Sequence, residues 1–114
     1  MNLDLQISSQ SSGTVTILKI SGKLDAQSAP AANDQLKSLI GSGKAKIILD
    51  LEGLTYISSA GLGIFNANQA DARKIGGMIR LACLKPQVKD VFDLLKFTLL
   101  FPMFASVPEA LKDF

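Results

Sequence analysis

Two adjacent hydroxyls, Ser58 and Ser59, are the side chains of this sequence best placed to do chemistry. They stand between Leu54-Thr55-Tyr56-Ile57 and the run Ala60-Gly61-Leu62-Gly63-Ile64-Phe65, which opens a segment with helical spacing. A serine hydroxyl at a helix start accepts a hydrogen bond from the unpaired N–H groups of the first turn, so either serine suits an N-cap. Gly61 and Gly63 each weaken that turn by about 1 kcal/mol relative to alanine, so helix propensity does not explain them. Access is one reason. With no side chain at those positions, another molecule approaches the backbone and the serine closely.

Enzyme chemistry on these hydroxyls finds no support. The chain has no histidine, which excludes a Ser-His-Asp arrangement and any histidine-containing zinc site. Ser58-Ser59-Ala60-Gly61 lacks the Gly-x-Ser-x-Gly spacing of a nucleophile elbow. Gly41-Ser42-Gly43-Lys44 hints at a phosphate loop, but Ser38 holds the first glycine position, Ala45 follows the lysine, and a strand follows rather than precedes it. That segment reads as a helix-ending turn.

The elements that position the serines come from periodicity. Ile47 to Leu51 is an aliphatic run ended by Glu52-Gly53, the pattern of a buried central parallel strand, and a turn leads from it to the serines. Leu62, Phe65, Ala72 and Ile75, with Ile64 at the margin, fall on one arc at about 100° per residue, opposite Asn66, Ala70, Asp71, Arg73 and Lys74. Leu62 and Ile64 flank that arc and fit either core or interface. Tyr56 and Ile57 read as packing that fixes the loop. Upstream, Leu3, Leu5 and Ile7 alternate as a half-buried strand, Ser8 to Gly13 turns the chain back, and Val15, Ile17, Leu18 and Ile20 form a second, antiparallel strand closed by Ser21-Gly22. Pro30 fits a first helical turn, Ala32, Leu36, Leu39 and Ile40 supply its stripe, and Gly41 and Gly43 end it.

Downstream, Gly76-Gly77 stops the serine helix and Ile79, Leu81 and Cys83 alternate in a further strand. Pro86 opens a helix with Val88, Val91, Phe92 and Leu95 at helical spacing. Leu100 to Phe104 reads as a short edge strand limited by Pro102, and Ser106 and Glu109 have capping-box spacing for a last helix. The pattern predicts an α/β fold: one domain over 1–114, with a mixed sheet of about five strands, an N-terminal hairpin then parallel strands, and about four helices. In a parallel sheet the strand-to-helix loops open at one edge, which makes the loop carrying Asp25 a neighbour of the loop carrying Ser59. Asp25 then either caps the turn before the first helix or contacts a partner.

Ser58-Ser59-Ala60-Gly61-Leu62-Gly63, following a strand that ends Leu49-Asp50-Leu51, resembles the signature of the STAS domains, specifically the anti-sigma factor antagonists of bacterial partner-switching systems. Ser21-Gly22-Lys23-Leu24-Asp25 resembles the family's Gly-x-Leu-Asp turn. Leu100-Phe101-Pro102 with Val107-Pro108-Glu109-Ala110-Leu111 resembles its C-terminal strand and helix. The family's phosphorylated serine maps onto Ser59, with Ser58 where an aspartate often stands. The resemblance implies that the unmodified protein binds an anti-sigma factor that is also a serine kinase, through a surface of Asp25, Ser58, Ser59, Gly61, Leu62, Gly63 and Ile64. Phosphorylation of Ser59 would release that partner and a PP2C-like phosphatase would reset it. ATP and Mg²⁺ would belong to the kinase, leaving this chain with no cofactor. STAS domains also serve as structural or regulatory subunits of membrane transport assemblies and larger signalling complexes, which is the alternative reading.

Composition agrees. At 47% hydrophobic, 114 residues suffice for one core. Twelve basic against ten acidic residues give a net charge of only +2, with the cations scattered, so nothing advertises nucleic acid. The single cysteine, Cys83, sits in an apolar strand pattern and reads as a small buried residue, which suits a reducing cytoplasm. Met1 to Asp4 lacks the basic and apolar regions of a signal peptide. The apolar stretch Phe97 to Ala105 falls far short of the roughly 20 residues that span a bilayer, so no direct membrane insertion is expected.

Overall fold

The computed structural model describes residues 5–114. Leu3, the first residue of the expected opening strand, lies outside them. A long hairpin starts the fold: β1 (Leu5–Ser12) runs antiparallel to β2 (Val15–Leu24), from Leu5 opposite Gly22 to Ser12 opposite Val15. Ser8 to Ser12 therefore extends the strand instead of turning it, and the turn is Gly13-Thr14 alone. An outermost strand facing water needs no apolar alternation, since its backbone bonds to β2 hold it. Gly13 has φ +61°, which suits the first central position of a type II′ hairpin turn.

The second strand also outruns its expected end at Ser21-Gly22. It continues to Leu24 through an irregularity between Gly22 and Lys23. This extra length matters, because one side of β2 pairs first with β3 (Lys46–Asp50) and then with β4 (Leu54–Ile57), both parallel. The expected turn between the central strand and the serines thus contains a strand of its own. The sheet runs β1-β2-β3-β5-β6, with β4 beside the far half of β2, where β5 is Met78–Ala82 and β6 is Met103–Phe104. Every pairing except the hairpin is parallel, as anticipated.

Alternation along β3 separates two cores. Ile47 and Leu49 pack with Leu36 of α1 (Ala29–Gly41), Leu62 and Phe65 of α2 (Ser59–Lys74) and Phe92 of α3 (Pro86–Leu94). Ile48 faces the other way, toward Val15, Ile17, Ala82 and Ala110 of the short α4 (Val107–Leu111). Three helices therefore cover one face and α4 covers part of the other. Among the described residues no helix is long and apolar enough to cross a membrane.

Two apolar residues depart from their expected stripes because their helices stop short. Ile75 is the C-cap of α2 with φ −108° and is 54% exposed, and Leu95 plays the same part after α3. Leu100 precedes the last strand rather than joining it, following a 3-10 turn at Phe97–Leu99. Gly41 to Lys44 is the turn that ends α1, with the N–H groups of Gly43 and Lys44 donating to the Ile40 and Leu39 carbonyls.

Candidate functional site

The start of α2 is built from the far end of β2. Ile57 lies opposite Leu24 in the β2–β4 pairing, and the Ser58 N–H donates to the Leu24 carbonyl at 2.9 Å. Ser58 is extended (φ −95°, ψ 171°), and its Oγ accepts from the Gly61 N–H at 3.2 Å. Ser58 is thus the N-cap, a role one hydroxyl fills. Ser59 follows as the first helical residue, exposed, and among the described residues its hydroxyl has no hydrogen-bond partner. One serine holds the backbone and the other faces solvent.

Asp25 follows Leu24 directly, so the β2–β4 pairing that ends at Leu24 and Ile57 brings the two loops together, as the sheet topology predicts. The aspartate acts as a cap. Its Oδ1 accepts from the N–H groups of Gln27 and Ser28, each at 3.0 Å, while Ser28 Oγ accepts from the Asp25 N–H at 3.0 Å. The Ser28 hydroxyl donates in turn to the Lys23 carbonyl at 2.8 Å. Hydrogen bonds to the ionised carboxylate, that from the Ser28 N–H above all, hold Asp25 below the usual aspartate range. The reciprocal Asp25–Ser28 pair fixes the chain direction into α1 beside Ser58.

The next turn alternates covered and open positions. Gly61 and Leu62 are buried, Gly63 is exposed and Ile64 is half-buried. A β-carbon on Gly61 would meet Leu24 and Ile57, both core residues, so close packing inside the fold explains this glycine and access does not. A β-carbon on Gly63 would meet nothing within 4 Å. The access argument survives at Gly63 alone. Leu62, open to either reading from sequence, is wholly core, while Ile64 packs against the core by one side only. Tyr56, expected as packing, is 49% exposed, while Ile57 beside it is buried in the core as expected.

Cys83 lies one residue past β5, half-buried, with φ +63°. Burial first, then the charges of Asp50 and Glu52, push its thiol up. The ligand-type atoms of these three residues lie within 4.8 Å of one another, a grouping that exposed acidic residues commonly form without an ion.

A family model described as STAS domain matches residues 6–110. The chain belongs to the STAS domain family. BtrV of Bordetella bronchiseptica is 32% identical over 95 residues, covering 83% of this chain and 82% of that protein. The anti-sigma-B factor antagonist of Bacillus subtilis is 29% identical over 94 residues, covering 82% and 84%. Among solved structures, the Bacillus cell fate determinant SpoIIAA in its phosphorylated form superposes with a TM-score of 0.72 over 93% of this chain and 95% of that one, at 20% identity. That last likeness concerns the fold. Relatives named anti-sigma factor antagonists thus share most of the length of this STAS domain.

Two residues that position the STAS site escaped the sequence reading. Gln69, 3% exposed, accepts from the Ile79 N–H at 2.7 Å and donates to the carbonyls of Ile79 and Leu100, both at 2.9 Å, tying α2 to β5 and to the segment before β6. Asn68, equally enclosed, donates to Asn33 Oδ1 at 2.9 Å and joins α2 to α1. Position 69 lies four residues after Phe65 and three before Ala72. Its place on the apolar arc was the available signal.

Proposed function

We propose that this protein is an anti-sigma factor antagonist whose binding is switched at Ser59. In its unphosphorylated form it binds an anti-sigma factor that is also a serine kinase, freeing the sigma factor. Phosphorylation of Ser59 releases the partner, and a PP2C-like phosphatase removes the phosphate. One observation carries the reading: two serines share the helix start, and the cap is made by Ser58, leaving the Ser59 hydroxyl exposed. Family membership and the named relatives support the same assignment. The contact surface we assign centres on Ser59 and Gly63, with Asp25 and Ile64 at its border and Ser58, Gly61 and Leu62 shaping it from beneath. The chain acts here as a binding module, with ATP and Mg²⁺ brought by the kinase.

The test is incubation with the anti-sigma factor kinase encoded nearest its gene, with ATP and Mg²⁺. One phosphate on Ser59 by peptide mapping, with loss of the complex by calorimetry, is the expected result. Phosphate on Ser58 alone, or binding that survives complete modification of Ser59, contradicts the proposal.

A further inference from the structure

The six-stranded sheet ends in two very different edges. On one side β6 has only two residues and Pro102 stands directly before it, so that edge offers little to a further strand. On the other side β1 has eight residues, pairs among the described residues only with β2, and keeps unbroken register from Leu5 to Ser12. Its sequence, Leu5-Gln6-Ile7-Ser8-Ser9-Gln10-Ser11-Ser12, contains no charge and no proline. Charge, proline, bulges and brevity are the usual devices that stop an edge from pairing, and β1 has none of them.

The outward backbone groups follow from the turn. A two-residue hairpin loop closes on a hydrogen-bonded pair, here Ser12 and Val15, so Ser12, Gln10, Ser8 and Gln6 bond to β2. Leu5, Ile7, Ser9 and Ser11 then direct their N–H and C=O groups away from the sheet. Leu5 and Ile7 are also only half-buried, with apolar surface left at this edge.

We propose that β1 is a self-pairing edge, onto which a second copy of this chain adds its own β1 in antiparallel direction. In the two-fold register that sets Ile7 against Ser9 and Leu5 against Ser11, Gln6 faces Gln10 and Ser8 faces its own counterpart. Every cross-strand pair is neutral, and the glutamine amides supply both donor and acceptor. The same uncharged row on both strands is why the occupant is a second copy: a foreign strand selected by its charge finds nothing on β1 to read. The pairing leaves α2 and Ser59 uninvolved, so each dimer presents two independent Ser59 surfaces.

Analytical ultracentrifugation of the full chain between about 10 µM and about 1 mM tests this, together with concentration-dependent amide exchange by NMR. Reversible dimerisation is expected, with protection rising at Leu5, Ile7, Ser9 and Ser11. Ser9→Lys puts a like charge near the two-fold axis and Ser9→Pro removes an outward N–H without touching a β1–β2 bond. Each should weaken dimerisation by about tenfold or more at an unchanged melting temperature. If proline disturbs the hairpin, the lysine variant alone decides. A chain that stays monomeric throughout, or a dimer that Ser9→Lys leaves intact, overturns the proposal.

Discussion

Gly61 lies so close to Leu24 that a β-carbon on the glycine would stand 2.9 Å from the leucine Cγ, and 3.0 Å from Cγ1 of Ile57. Leu24 is fully buried, so it has little room to move. Gly61→Ala gains about 1 kcal/mol of helix propensity but overpacks the core at a cost of about 1–3 kcal/mol. A net loss of up to about 2 kcal/mol is expected in urea unfolding, and a larger one for Gly61→Val. Gly63→Ala points into open space and should gain about 0.5–1 kcal/mol. Opposite signs at two glycines two residues apart would establish that one serves the core and the other leaves the surface open. Equal effects would refute this division.

The two serines should separate in the same way. Ser58→Ala removes the hydroxyl that accepts from the Gly61 N–H and should lower stability by about 0.5–2 kcal/mol, the range for a lost N-cap. Ser59→Ala changes an exposed side chain and should stay within about 0.5 kcal/mol of the parent. Denaturant unfolding of both variants checks the pair, and a destabilised Ser59→Ala would show that the second hydroxyl also holds structure.

At Asp25 the dependence is on pH. Its carboxyl is held below the ordinary aspartate range by hydrogen bonds, first from the Ser28 N–H, so the ionised form is the one that caps the turn leading into α1. A depressed carboxyl contributes stability that is present above its unfolded pKa and lost as pH falls through the folded value. Asp25→Asn should therefore be less stable than the parent near pH 7, with the gap narrowing as pH drops below about 4. Urea titrations across that window would measure it, and a gap independent of pH would mean that the charge is not what caps the turn.

Gln69 makes three hydrogen bonds from an enclosed position, and replacing it tests whether α2 is held by polar contacts as well as by Phe65 and Leu62. Gln69→Leu keeps the bulk but strips the Ile79 N–H of its 2.7 Å acceptor. An unsatisfied buried donor costs about 1–3 kcal/mol, which sets the loss expected in unfolding experiments. Parent-like stability would show that water replaces the amide.

Much of this arrangement was legible in the sequence because it rests on apolar period. Ile47 to Leu51, the Leu62–Phe65–Ala72 arc and the Val88–Phe92 stripe mark elements whose burial demands hydrophobic residues. What stayed hidden rests on backbone pairing or on single polar contacts. β4 is four residues long, with only Leu54 and Ile57 buried, too short for alternation to show. The polar half of β1 exists because β2 lies beside it, and its serines look like a loop. The motif located the pair Ser58 and Ser59, but dividing their roles took the 3.2 Å bond from Gly61.

Phosphorylation of Ser59 should break a partner complex while leaving the domain folded. The phosphate adds about −1.5 to −2 charge at the first residue of a sixteen-residue helix, where unpaired N–H groups and the positive end of the dipole receive it. Within the free domain the effect should be neutral or favourable, on the order of 0.3–1 kcal/mol. Across an interface packed around the exposed serine, the same group must lose its water or meet the facing surface, and a poorly paired buried charge costs several kcal/mol. The interface penalty wins, and a loss of about 3 kcal/mol weakens binding on the order of a hundredfold. Ser59→Asp should reproduce part of that loss with its smaller charge, whereas Ser59→Ala should bind but no longer switch. Melting temperature and partner affinity measured side by side for the unmodified, phosphorylated and Ser59→Asp forms decide the matter. Should affinity fall only as far as the melting temperature collapses, Ser59 is a structural residue and the switch lies elsewhere.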